Sequence, residues 1–189
     1  MAVFPVFLKL EGRRVLVVGA GPVAAGKLRA LLNAGARITV VAPEVSSEIE
    51  ALAGQVEIVR RPFADADLDG VWYVVAAAPP DVNRAVSRGA DARKLFVNAV
   101  DDLENATAYL GAIVQRDGVT IALSTDGEAP ALAGLMREAL EQLLPDDLDR
   151  WIALSKDERR KWLADQVPMN ERRPLLLEAL NRLYGLQSA

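Results

Sequence analysis

Near the start of the chain a strand-like run, a glycine turn and a helix follow one another directly. They read Arg14-Val15-Leu16-Val17-Val18, Gly19-Ala20-Gly21-Pro22-Val23-Ala24, then Ala25-Gly26-Lys27-Leu28-Arg29-Ala30-Leu31-Leu32. This succession narrows the possible folds more than any other feature. Gly19 permits the tight turn, Gly21 has no Cβ to keep a pyrophosphate from the backbone, and the small Ala24 lets the helix lie against the strand. The first helical turn presents unpaired N–H groups to an anion. A bare glycine pattern is weak evidence, but an apolar strand and an amphipathic helix around it point to a dinucleotide site. The alternative is a tight strand-to-helix turn without a ligand.

The rhythm continues through the first two-thirds of the chain. Residues 36–42 form a second strand after Gly35, which can stop the first helix in a left-handed conformation. A short helix over 46–53, a third strand over 56–60 and a continuous apolar run over 71–78 come next. A helix over 81–93 and a fifth strand over 95–100 complete the series. This alternation predicts an α/β protein with a Rossmann-like doubly wound parallel sheet and ligands at the carboxyl ends of its strands.

The pattern then changes. Two further strands, 109–114 and 118–125, are expected to pair around Arg116-Asp117-Gly118. Pro130 opens a long helix with apolar Leu132, Leu135, Met136, Ala139, Leu140 and Leu143. Pro145-Asp146-Asp147 reads as a linker, Ser155 and Glu158 as a capping box, and 171–184 as a last helix interrupted by Pro174. The expected division is a nucleotide-binding domain over 1–108, a distinct region over 109–145 and a small helical C-terminal domain over 146–189. The opening apolar residues 1–9 are short, broken by Pro5 and lack a basic leader. They are expected to pack on the sheet rather than to act as a signal peptide or membrane span.

The 189 residues include no cysteine and no histidine, and their net charge is −4. Disulfides and thiolate metal sites are excluded, which fits a reducing cytoplasm, and no protein metal site is expected. The absence of a basic run argues against nucleic acid as a partner. Proton transfer falls to carboxylates, lysine, tyrosine or the ligand itself. After the second strand come Pro43 and Glu44, where a carboxylate can accept ribose hydroxyls. Backbone groups around Pro43 are the alternative, with Glu44 then a solvated loop charge. No arginine follows that strand to meet a 2′-phosphate, so NAD is expected rather than NADP. Asp101, closing the fifth strand, is the candidate general base, or else it caps a turn with Asp102.

Several segments in the right order carry a family resemblance. They are Phe4-Pro5-Val6-Phe7-Leu8-Lys9-Leu10, the glycine turn, Lys27, Val40-Val41-Ala42-Pro43, Asn83, Asn98-Ala99-Val100-Asp101, Ile121 to Gly127, Ala129 to Ala133 and Arg137-Glu138. Over residues 3–145 the chain resembles precorrin-2 dehydrogenase/sirohydrochlorin ferrochelatase, the N-terminal half of siroheme synthase. The resemblance implies NAD-dependent oxidation of precorrin-2 to sirohydrochlorin and, in bifunctional members, Fe2+ insertion to give siroheme. It places the key aspartate on Asp101, and nucleotide contacts on Pro22, Val23, Pro43 and Glu44. It implies an intertwined homodimer in which 109–145 is the dimerisation region.

A substrate rich in carboxylates needs local cations. Lys27, Arg116 and Arg137, with Thr125, are the candidate substrate-binding residues. Gly111 stands where many members have proline and Ala129 where serine is frequent, while Asp126 and Glu128 add negative charge to that loop. These departures bear on the ferrochelatase step more than on the oxidation. The chain stops at Ala189, so the methyltransferase half and the use of S-adenosylmethionine are not expected. A competing reading, from the glycine turn and helical tail alone, is an NAD(H)-sensing dimeric regulatory module without tetrapyrrole chemistry.

Overall fold

The computed structural model describes residues 3–100, 102 and 104–185, and the chain divides after Leu110 into two compact units. In the first unit five parallel strands form one sheet. They are β1 (Arg14–Val18), β2 (Arg37–Val41), β3 (Glu57–Val59), β4 (Tyr73–Ala76) and β5 (Phe96–Ala99), in spatial order β3-β2-β1-β4-β5. Val15 lies opposite Ile38 on one side and Tyr73 on the other, and Val75 lies opposite Asn98.

Alternation along β1 sends Val15 and Val17 to one face and Leu16 and Val18 to the other, and both faces are buried. Helices α1 (Pro22–Asn33) and α2 (Ser47–Glu50) cover the first face through Ala24, Leu28, Leu31 and Ile49. Helix α3 (Pro80–Ala92) covers the second through Val86 and Ala90, joined by Leu68 from a single 3-10 turn over Asp65–Leu68. Burial on both sides explains why the strands read as unbroken apolar runs rather than alternating ones. Gly35 ends α1 as expected, with φ +71° and its N–H on the Leu32 carbonyl. At the amino ends of the strands the Arg13 guanidinium lies 3.8 Å over the Trp72 ring, and the Trp72 N–H donates to the Arg14 carbonyl.

One expectation fails here. Residues 3–9 of the opening segment are all exposed, Phe4 at 88% and Phe7 at 72%, and burial begins with Leu10 just after it. The two sheet faces are already filled by helices, so no apolar surface is left there for the segment.

The second unit contains the antiparallel pair β6 (Ala112–Arg116) and β7 (Val119–Leu123), and helices α4 (Pro130–Leu143), α5 (Leu148–Ala164) and α6 (Met169–Leu183). Asp117 and Gly118 both have positive φ, 49° and 85°, as a two-residue hairpin turn requires. The short turn places β6 later and β7 shorter than their apolar runs extend. Helix α4 packs on β6, and α5 on α6. Trp151 meets Tyr184 edge to face, and the Tyr184 hydroxyl donates to Asp147 Oδ1 at 2.7 Å.

Two other expectations need correction in this unit. Helix α5 begins at Leu148, so Ser155 and Glu158 lie inside it and form no capping box; Glu158 instead pairs with Lys161 at 2.7 Å. Helix α6 begins at Met169 and runs through Pro174. The proline sits in the second turn, where its missing N–H removes a single early bond.

Tyr73 is 3% exposed in the centre of the sheet, and burial pushes its phenol up to about 12. The folded chain therefore retains this proton where the unfolded chain loses it, near pH 10. Stability from this group is complete below pH 10 and falls as pH rises towards 12. Denaturant melts should show wild type losing about 1 kcal/mol more than Tyr73→Phe between pH 9 and pH 11.

Candidate nucleotide site

The chain leaves β1 towards β2 and β4 towards β5, so the strand order reverses between β1 and β4. With α1 and α3 on opposite faces, this reversal puts the β1–α1 turn and the β4–α3 turn at the carboxyl ends, where open α/β sheets bind their ligands in a crevice. Gly19 has φ +101°, and a Cβ there would lie 2.1 Å from the Ala77 carbonyl oxygen. The Gly19 N–H donates to the Val41 carbonyl at 2.9 Å, and the Ala77 N–H to Val18 at 2.8 Å. These contacts lock the ends of three strands together.

Gly21 is extended, and a Cβ there would meet nothing within 4 Å, so the approach to this stretch of backbone is open. The Val23 and Ala24 amides precede the first intrahelical bond, from Ala25 to the Gly21 carbonyl, and no acidic side chain lies in that turn. An anion fits there. Pro22 and Val23 are exposed at the turn, and Ala24 is buried against the sheet, as the motif requires.

Pro43 and Glu44 follow β2 and are exposed. The next part of that loop is tied to the glycine turn, because the Ser46 N–H donates to the Ala20 carbonyl at 3.0 Å. The glycine turn, with Gly19, Gly21, Pro22 and Val23, and the loop carrying Pro43 and Glu44 thus lie side by side at the carboxyl ends of β1 and β2. Lys27 is half-buried on the second turn of α1.

Asp101 lies outside the described residues. In the neighbouring sequence, Asn98 is 7% exposed and its Nδ2 donates to the Ala108 carbonyl at 3.1 Å, while the Thr107 hydroxyl accepts the Val97 N–H at 2.9 Å. The carboxylate of Asp102 accepts both the backbone and side-chain N–H groups of Asn105. Arg116, Thr125 and Arg137 belong to the second unit. Arg116 donates to the Pro145 carbonyl, Thr125 Oγ1 accepts the Ala129 N–H at 3.3 Å, and Arg137 pairs with Glu141 at 2.8 Å and Glu138 at 3.3 Å. Each of the three is held by a neighbour in its own unit.

Two polar residues gain a place that sequence reasoning did not give them. The Ser46 hydroxyl is buried without a partner on the same residue whose N–H bonds Ala20, although its position before α2 reads as an ordinary helix cap. Asn83 is 4% exposed and accepts the Ala78 N–H at 3.0 Å. Its signal was an asparagine one turn into a helix that follows an apolar strand. Among the described residues no group of three or more His, Cys, Asp or Glu side chains could hold a metal ion. No helix among them is long and apolar enough to cross a membrane.

Sheet order, glycine turn and open α1 terminus define a Rossmann-type dinucleotide-binding protein, and residues 6–112 match the family model described as "Putative NAD(P)-binding". A solved structure titled "SirC, precorrin-2 dehydrogenase" is 30% identical with a TM-score of 0.73, over 93% of this chain and 88% of that one. The chain belongs to the precorrin-2 dehydrogenase/siroheme synthase family. Siroheme synthase 3 of Aeromonas hydrophila is 41% identical over 176 residues, 92% of this chain and 38% of its own length. Siroheme synthase of Photorhabdus laumondii is 38% identical over 189 residues, 98% of this chain and 40% of its own length. The chain therefore spans about two fifths of these curated relatives.

The two turn glycines should separate by experiment. Gly19→Ala drives a Cβ into the Ala77 carbonyl at a positive φ and should cost more than about 2 kcal/mol of stability in denaturant melts. Gly21→Ala has room, so it should melt like wild type but bind NAD at least about tenfold more weakly by titration calorimetry.

Proposed function

We propose that this protein is a cytoplasmic NAD-dependent precorrin-2 dehydrogenase, acting as a homodimer in siroheme biosynthesis. The likeness to a precorrin-2 dehydrogenase across nearly the whole of both chains is the observation that carries this reading. The family match over the first unit and the open glycine turn support NAD as its cofactor.

When bound, NAD+ supplies the hydride acceptor for the reduced macrocycle. The chain's own part is to seat the pyrophosphate at Gly21 and the α1 amides, with the ribose hydroxyls at Glu44 and the Pro43 backbone. Oxidation of precorrin-2 releases a hydride and a proton, and Asp101 takes the proton. The chain has no histidine, so a carboxylate closing β5 is suited to this role. Fe2+ insertion into sirohydrochlorin is the second step of the proposal. Two pyrrolic protons leave as the metal enters, Asp101 accepts one and solvent water the other, and the macrocycle nitrogens remain as the ligands. Lys27, Arg116, Thr125 and Arg137 meet the peripheral carboxylates, Arg137 by exchanging its glutamate partners for them.

The second unit supports the dimer. A two-stranded ribbon is marginal by itself, and here Ile113, Leu132, Leu135 and Met136 are all exposed around it. A second copy of the chain would cover this apolar surface.

Purified protein given precorrin-2 and NAD+ should form NADH and sirohydrochlorin together. Asp101→Asn should lower kcat more than about 100-fold with NAD affinity unchanged. A folded, NAD-binding wild type without turnover would remove the reading. Light scattering should give twice the 20.4 kDa chain mass, and Leu135→Asp should shift it towards one chain.

A further inference from the structure

We propose that Asn83 is a positioning residue for the dinucleotide, holding the β4–α3 turn as the second wall of the crevice. The inference rests on the nucleotide site proposed above.

The first wall is the glycine turn, and the second is Ala77-Ala78-Pro79. They touch where the Ala77 carbonyl meets Gly19, a contact so close that only a glycine fits. The next residue, Ala78, has turned out of the strand and has no ladder partner for its N–H. Asn83 reaches back from the first turns of α3 and accepts that N–H at 3.0 Å. Its side chain is almost wholly buried, so the bond is shielded from water and leaving it unmade would be costly. The Asn83 backbone N–H meanwhile bonds the Pro79 carbonyl, so one residue fixes the turn from both sides.

This arrangement also removes donors from the second wall. The Ala78 N–H is engaged, Pro79 and Pro80 have none, and Asp81 puts a negative charge in the first turn of α3. Both helices begin with proline and leave two amides ahead of their first bond, Val23 and Ala24 in α1 and Asp81 and Val82 in α3, but the first turn of α1 has no acidic side chain. Phosphates are therefore drawn to α1 and turned away from α3. The ribose–nicotinamide half, which lacks phosphate and is cationic in NAD+, is left to run along the Ala77–Pro79 wall towards Asp81. With the turn held in advance, binding does not have to order it.

The test is NAD titration of full-length wild type, Asn83→Leu, Asn83→Ser and Asn83→Asp, with melting curves on each. Asn83→Leu matches the shape but has no acceptor, Asn83→Ser is too short to reach, and Asn83→Asp keeps an acceptor oxygen. Loss of the acceptor should raise the NAD Kd at least about tenfold, while kcat at saturating NAD stays near wild type. Asn83→Asp should restore affinity to within about threefold. A Leu or Ser variant that folds and binds NAD like wild type overturns the inference. Should neither fold, hydrogen exchange of the wild type decides: before NAD is added the Ala78 amide must be protected as strongly as the β4 amides, and fast exchange there overturns it. Wild type that binds no NAD would instead sink the proposed function, a separate result.

Discussion

Everything at the ligand end depends on how closely two pieces of backbone meet, the turn after β1 and the end of β4. At Gly19 the chain leaves β1 with a positive φ and passes within a carbonyl's reach of Ala77. Any side chain there would push β1 and β4 apart at the point where the strand order reverses. Because the turn lies so close, Gly19 can bond Val41 and Ala77 can bond Val18, which aligns three strand ends. The start of α1 and the loop carrying Glu44 are both placed from that alignment. The free amides at the start of α1 are thus set by steric contact within the backbone before any ligand arrives.

The two units use polar groups differently. In the first, Asn83 bonds the turn after β4, while the Thr107 hydroxyl and the Asn98 amide tie residues 107–108 to strand β5. These bonds satisfy buried backbone groups that the ladder does not reach. In the second unit the cations with a proposed role are held by carboxylates or carbonyls of the same unit. A substrate carboxylate would have to compete with those partners. An acidic chain restrains its cations in this way, and exposed pairs of this kind are weak enough to exchange.

The doubly wound sheet was legible because its signals are local and consistent. Apolar runs of strand length, a glycine turn and Gly35 after the first helix each name one conformation, and the structure has all three. The hairpin turn at Asp117-Gly118 was legible for the same reason. Ser155 was not, because its spacing to Glu158 fits a helix start and a helix interior equally well, and packing against α6 decided for the interior. Pro174 misled because proline disrupts a helix least near its beginning. The opening segment misled because an apolar run does not say which surface it covers, and here both sheet faces were already filled. Within the candidate site, the glycines could be read from sequence. Asn83 and Ser46 could not be placed, since their value comes from an unpaired backbone amide or a neighbouring turn that only the folded chain reveals.

The Arg13–Trp72 stack has a practical optical consequence. The chain has three tryptophans, and Trp72 is the one in the first unit, pinned at the amino ends of the strands. Five-residue β1 separates that end from the crevice by about 16 Å. The indole's emission thus reports whether the sheet is intact while remaining a poor witness to what occupies its far rim.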